Sequence, residues 1–325
     1  SDFVELNGYV YFRATTKENG RELWKTDGTS AGTELVKDIN PNHENGLNLG
    51  NTVVANNKLY FFANDGASGF ELWESDGTAT GTQIVKDINV GEDNAYRYGE
   101  LIAYNNEVYF AAHTGDFDYE LWKSDGTESG TVLYHHYNYS GSSNPSDFII
   151  FNNFLYYQSD DDLIRSDGTT AIKVSDTEPL NLTISGDKLF FTAGYNDGGE
   201  LWATEGGLSA YQVEEINPDL NGGSFPAILT SHDNELYFVA NDGTNGYELW
   251  QSDGTSDGTL LLKDIANGGG GSSIPEMVSF GGELLFSAGE YSSTKELWIS
   301  DGTSEGTTLF QEINPSTESY SSGSN

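Results

Sequence analysis

The stretch ELWKTDGTSAGTELVKDIN at 22–40 returns with few changes at 71–89, 120–138, 248–266 and 296–314. A unit this small cannot bury its own apolar face, so it must stack on copies of itself and share one core with them. Ahead of each copy stands a second common pattern, such as LNGYVYFRA at 6–14 and ANNKLYFFA at 55–63. Two Asn or Gly residues between apolar runs are the mark of a two-residue β-hairpin turn. Two further copies have drifted. FNNFLYYQSDDDLIRSDGTT begins at Phe151 and carries Ile164 in place of Trp, and SGDKLFFTAGYNDGGELWATEGG begins at Ser185 and carries Glu205-Gly206-Gly207 in place of Asp-Gly-Thr. Trp24, Trp73, Trp122, Ile164, Trp202, Trp250 and Trp298 thus mark seven units, with steps of 49, 49, 42, 38, 48 and 48 residues.

Such a step is too short for a βα crossover in addition to the apolar runs of each unit, which in the second copy lie at 52–55, 58–63, 70–75 and 82–88. Each unit must be one antiparallel sheet, and four short strands with a period in the 40s are a β-propeller blade. Aromatics at 13%, with 39 Gly and 7 Pro, favour strands and tight turns. No stretch sustains a 3.6-residue period, so few helices are expected. The expected fold is all-β, a seven-bladed β-propeller of four-stranded antiparallel blades at about 1–40, 50–89, 99–138, 145–176, 179–217, 225–266 and 274–314, with a Ser/Gly-rich tail or linker at 315–325. The first unit starts at its first strand and the seventh ends at its fourth. The chain ends are therefore expected to meet as at an ordinary inter-blade junction, with blades one and seven held by face packing.

A blade packed on both sides needs inner strands that are apolar on both faces. LYFFA and ELW meet that need. Leu23 and Trp24 point to opposite faces, so each blade offers a Leu to one neighbour and a Trp to the other. In SDGTxxGT, the Asp bonds amides two residues on, the Gly takes positive φ, and the Thr suits the start of a strand. The expected element is a turn with a bulge. A calcium loop would need acidic ligands at alternate positions and a bidentate Glu, which the motif lacks. Trp24, Trp73, Trp122, Trp202, Trp250 and Trp298, with Asp27, Asp76, Asp125, Asp253 and Asp301, are therefore scaffold anchors, and no catalytic residue is assigned.

These copies resemble the repeat of bacterial ELWxxDGT-repeat proteins, and the resemblance covers nearly the whole chain, from Phe3 to about Asn314. It implies a secreted or surface-exposed bacterial protein, often part of a larger chain exported by Bacteroidota-type machinery, with no established shared activity.

Acidic residues outnumber basic ones 51 to 14, for a formal net charge of −37. That balance excludes nucleic acid as a partner and disfavours anionic membrane surfaces. There is no cysteine, and no run of about 18 apolar residues that would insert in a membrane. Lacking an initiator Met or an apolar leader at Ser1, the chain reads as a processed piece or an excised domain. Like charges at this density repel, and salt screens them within about 8 Å at physiological strength. Raising ionic strength or adding Ca²⁺ is expected to raise the melting temperature; a melting curve indifferent to both salt and chelator would contradict this.

Function belongs where the copies disagree, in the loops between blades and between the second and third strands. GEDNAYRYGE at 91–100 supplies Tyr96, Arg97 and Tyr98; the same blade adds His113, Asp116, Phe117, Asp118 and Tyr119; YHHYNYSGSSNP supplies His135, His136, Tyr137 and Tyr139. The candidate ligand-binding set is Tyr96, Arg97, Tyr98, His113, Phe117, Tyr119 and Tyr139, whose rings and guanidinium suit stacking on sugars and bonding their hydroxyls. The plain alternative is polar loop residues in a Tyr-rich chain. His135 and His136 face opposite sides and do not suit one zinc ion. Asp160, Asp161 and Asp162 crowd one short turn, a candidate Ca²⁺ site set against a solvated turn. No cofactor is required, and Ca²⁺ is the one optional ion.

The function expected from this reading is a non-catalytic recognition or adhesion module of a larger extracellular or cell-surface protein. Its partners would be a glycan or surface-protein ligand and the other domains or subunits of a surface assembly. The alternatives are a lectin-like glycan-binding propeller and a secreted polysaccharide lyase or hydrolase.

Overall fold

Each unit opens with a two-residue hairpin; in six of the seven both turn residues take the left-handed backbone, and in the fifth Gly186 alone does. Asn7 and Gly8 have φ of 53° and 80°, Asn56 and Asn57 of 47° and 60°, and Asp233 and Asn234 of 49° and 67°. The computed structural model describes residues 3–42, 45–47, 52–96, 100–115, 118–135, 141–194, 199–218, 222–266, 268–289 and 295–313. Among these there are strands and no helix. The strands form seven four-stranded antiparallel sheets, each ordered as in the chain. They span 3–37, 53–86, 102–135, 146–175, 180–214, 227–263 and 277–311. The fold is that of a seven-bladed β-propeller, as the spacing of the anchors anticipated. The tail at 315–325 lies outside the described residues. By contacts the chain divides into two compact units, Ser1–Lys173 and Val174–Asn325, with the border inside the last strand of the fourth blade.

In the second blade the strands are Val53–Ala55, Lys58–Asn64, Phe70–Ser75 and Gln83–Lys86. Leu59, Tyr60, Phe61, Phe62 and Ala63 are all buried, so this strand is apolar on both faces. Phe61 and Trp73 join Leu6, Tyr11 and Leu23 of the first blade in one cluster, whereas Leu72 joins Val108, Phe110 and Trp122 of the third in another. Leu thus faces the following blade and Trp the preceding one. The rule recurs with Leu121 and Ile164, with Leu201 and Trp250, and with Leu249 and Trp298. Trp73, Trp122 and Trp250 are buried; Trp24, Trp202 and Trp298 are half-buried, less than the sequence led one to expect.

The fourth strand carries an extra residue. Leu23 pairs with Lys37 and Trp24 with Leu35, which leaves Val36 as a β-bulge. Val85, Val213 and Leu262 take the same place in their blades, and all four are buried in the inter-blade clusters. The lysine after the bulge reaches the neighbouring blade. Lys37 Nζ lies 5.6 Å from the Trp73 ring centre and donates to the Thr82 carbonyl at 2.6 Å. Lys86 does the same for Trp122 and Thr131, at 5.8 Å and 2.7 Å.

The Asp-Gly-Thr turn closes on itself. Asp76 Oδ1 accepts the Thr78 amide at 2.9 Å and its hydroxyl at 2.7 Å, and Thr78 Oγ1 in turn accepts the Gly81 amide at 3.0 Å. The set repeats at Asp27, Asp125, Asp253 and Asp301. The Thr hydroxyl, followed by the Thr amide, holds each of these carboxylates below its usual range. A Cβ on Gly81 would lie 2.0 Å from Asp76 Oδ1. That explains the second glycine: its site is filled by the carboxylate. Asp76→Ala and Gly81→Ala should each cost about 1 kcal/mol. The double variant should cost little more than either, since the new methyl fits where the carboxylate was. Additive losses in urea denaturation would refute this packing.

Candidate functional site

The loops that vary between copies are tied down by a residue that hardly varies. Glu71, the first residue of ELW, is fully buried and accepts the amides of Ile88 at 2.8 Å, Asn89 at 3.3 Å and Ala95 at 3.2 Å. One carboxylate thereby clamps both ends of the loop that leads to the next blade. Glu22 does the same with Ile39, Asn40 and Gly46, Glu200 with Ile216 and Ser224, and Glu248 with Ile265 and Ala266. Burial pushes Glu22, Glu71 and Glu248 up to about 7, outweighing the amide bonds that favour the charged form. The sequence reading gave this glutamate no role. Its signal was present in the invariance of ELW, but a charged residue beside Leu-Trp looks like a strand edge until burial is seen.

Between the third and fourth blades these clamped loops leave a cavity of about 430 Å³. Tyr119 forms one wall, Asn144 and Pro145 another, and Gln158, Asp160 and Asp161 the lip. The Tyr119 carbonyl accepts the amides of Ser143 and Asn144 at 3.1 and 3.0 Å, and the Ser143 carbonyl accepts the Asp160 amide. Gln158 accepts from Ser146 Oγ at 2.8 Å and donates to the Asp160 carbonyl at 3.1 Å, which fixes the lip. Three residues singled out in the sequence, Tyr119, Asp160 and Asp161, therefore converge here. Asn144, Ser146 and Gln158 went unnoticed there, because only the fold brings the junction at 141–146 beside the turn at 160–161. A polar cavity with two carboxylates at its mouth suits a cationic group.

The other candidates separate. Tyr96 is buried and stacks on Phe62, ring centres 4.1 Å apart at 17°, so it belongs to the core and not to a ligand-facing rim. His113 is buried too; its Nδ1 accepts the Gly115 amide at 3.1 Å, and its ring meets Tyr119 edge-on at 4.6 Å. His135 Nδ1 sits 3.1 Å from the Tyr157 hydroxyl. Arg97, Tyr98, Asp116, Phe117, His136, Tyr137 and Tyr139 lie outside the described residues. Asp162 leaves its two neighbours: it is buried on the strand Asp162–Ser166, where other blades have the clamping Glu, and it pairs with Lys173 at 3.1 Å. No group of three acidic, His or Cys residues among the described residues could hold a metal ion.

One arrangement resembles a hydrolytic triad. His232 Nδ1 lies 2.8 Å from Ser279 Oγ, and His232 Nε2 lies 3.9 Å from Asp233 Oδ2. The carboxylate is beyond hydrogen-bonding range, and the imidazole is buried edge-on against Tyr237 at 5.8 Å, out of reach of a leaving group. The residue at the same hairpin position in the third blade, Tyr104, also bridges to the next blade, donating to the Asn153 carbonyl at 2.7 Å. The histidine is an inter-blade tie of that kind.

The sequence matches no family model and no curated protein. Solved structures do match. Prolyl oligopeptidase B from Galerina marginata has a TM-score of 0.52 at 9% identity, covering 96% of this chain and 50% of that one. A prolyl endopeptidase has a TM-score of 0.50 at 10% identity, covering 95% and 48%. The β-propeller domain of the Trilobed protease from Pyrococcus furiosus, described as having an open velcro topology, matches at 14% identity and a TM-score of 0.40, covering 97% and 98%. The chain spans about half the length of the whole peptidases it matches. At these identities the shared property is the fold. The matches named are peptidases or a protease's propeller domain, and this overturns the expectation of a recognition or adhesion module, together with its lectin-like and polysaccharide-degrading alternatives.

Proposed function

We propose that this chain is the propeller part of a peptidase and performs no hydrolysis itself, the reaction being carried by a hydrolase domain elsewhere in the same protein or complex. The observation that carries the reading is the fold held in common with prolyl oligopeptidase B and prolyl endopeptidase over about half of each. The remaining half of such a protein is left for the chemistry. The buried imidazole of His232, too far from Asp233 and closed to substrate, supports a non-catalytic role. The net charge of −37 suits a domain that draws cationic peptides towards a partner site, with on-rates that fall as salt rises. An extracellular setting goes with this reading on the resemblance of the repeat.

The test is hydrolysis of a proline-containing chromogenic peptide by the 325-residue chain and by the full gene product that contains it. The chain alone should give no turnover above buffer, and the full product, or its complex, should hydrolyse the peptide. Turnover by the chain alone, or a full product that carries no hydrolase activity, would overturn the proposal.

A further inference from the structure

The cavity between the third and fourth blades has a counterpart between the sixth and seventh, and the counterpart has a different chemistry. Tyr247 stands where Tyr119 does, Val239 where Ala111 does, and the amide of Ser272 donates to the Tyr247 carbonyl at 2.8 Å as that of Ser143 does to Tyr119. The counterpart measures about 300 Å³, the lower end of ligand-sized pockets. Its apolar lining is Ala227, Ile228, Val239, Tyr247, Ile274 and Pro275, and among the described residues that line it the charged one is Lys295. The carboxylate lip of the other cavity has been replaced by an apolar pocket with a cation.

Most lysines of this acidic chain are engaged, and of the two that are not, Lys17 and Lys295, only Lys295 lines a cavity. Lys25, Lys58, Lys123, Lys173 and Lys188 pair with carboxylates, and Lys37, Lys86 and Lys263 cap carbonyls of the next blade. Lys295 is exposed and makes no hydrogen bond or ion pair among the described residues. The backbone of the pocket is also unusual. Ile228 has φ +57° at the register shift of the blade's first strand, where the fourth and fifth blades place Asp147 and Asn181 at 53° and 61°. Asp and Asn tolerate that conformation, but a β-branched residue there is strained, and strain of this kind gathers at ligand sites. The strained position puts an isobutyl-sized side chain into the wall of the cavity. Gly271, at φ +75°, lets the loop press against Tyr247, since a Cβ there would lie 2.8 Å from the Tyr247 amide nitrogen.

We propose that this cavity binds the free C-terminal residue of a peptide with a bulky apolar side chain, the side chain filling the pocket and the carboxylate pairing with Lys295. The proposal goes beyond the peptidase reading and does not depend on it, because the pocket and the ammonium are there whichever domain supplies hydrolysis. The probe is N-acetyl-Ala-Ala-Leu, compared with its C-terminal amide and with hexanoate, titrated into the full chain and followed by the methyl resonances of Ile228 and Ile274. The acid should shift both resonances saturably and bind about fivefold more tightly than the amide, the size of an exposed ion pair. Lys295→Gln should remove that preference at an unchanged unfolding midpoint, and Ile228→Asn, which retains the backbone preference, should weaken acid and amide alike. Equal binding of acid and amide, no shift at Ile228 and Ile274, or hexanoate binding as tightly as the peptide would overturn it.

Discussion

Replacing Trp73 by Ala should lower the free energy of unfolding by about 3–5 kcal/mol, a large share of the roughly 5–15 kcal/mol that holds a domain folded. The indole is buried in a cluster with Leu6, Leu23 and Phe61, and its face is covered by the Lys37 ammonium at 5.6 Å. Truncation opens a void between two blades and strands a cation that had an aromatic face to lie on. Trp298→Ala should cost less, since that ring is half-buried. Urea denaturation measures both. A loss below about 1 kcal/mol at Trp73 would mean that the repeated tryptophan does not hold the blades together.

Stability should fall as pH rises from about 4.5 to about 7. Glu22, Glu71 and Glu248 have an ordinary value of 4.5 and are pushed up to about 7 in the folded protein. Between those values the folded state holds protons that the unfolded chain has released, so raising the pH favours unfolding. These groups therefore stabilise fully below the unfolded value, and their contribution is lost as the pH passes the folded one. Asp27, Asp76, Asp125, Asp253 and Asp301 act in the opposite sense: held below their ordinary 3.8, they stabilise above it and lose that contribution as acid protonates them. The melting temperature should peak near pH 4–5, and Glu71→Gln should flatten the decline above it. A melting temperature that climbs between pH 4.5 and 7 would contradict the buried-carboxyl account.

The strand count and blade order were legible because they rest on local chemistry. Asn-Asn and Asn-Gly pairs force hairpins, LYFFA and ELW are apolar on both faces, and the anchors count blades without help from tertiary structure. What was not legible depends on where neighbours fall. Tyr96 looked like a loop aromatic and proves to be a core residue stacked on Phe62. Asp162 looked like one of three turn carboxylates, but the strand Asp162–Ser166 carries it to the clamp position. The bulge expected at the Asp-Gly-Thr turn falls further along, at Val36, where the register of the third and fourth strands slips by one opposite the tryptophan. The likeness to peptidases was beyond reach for a different reason. It lies in backbone shape at about a tenth identity, and no motif of the chain carries it.

The central claim is that the repeated motif is scaffold, each of its residues performing one structural task. The fifth blade gives the most direct test, because its turn at 205–210 lacks the Asp-Thr network. There Thr204 Oγ1 donates to the Ser209 carbonyl at 2.9 Å and accepts the Gly206 amide at 3.3 Å. The measurement is the urea unfolding midpoint of a variant in which residues 205–210 are exchanged for the seven residues DGTSDGT of 253–259. If the motif is a self-contained turn, the transplant brings its own hydrogen bonds at an unchanged glycine count, and stability should rise by about 1 kcal/mol. An unchanged or lower midpoint would contradict the account, and would mean that the motif is kept for something other than holding the blades.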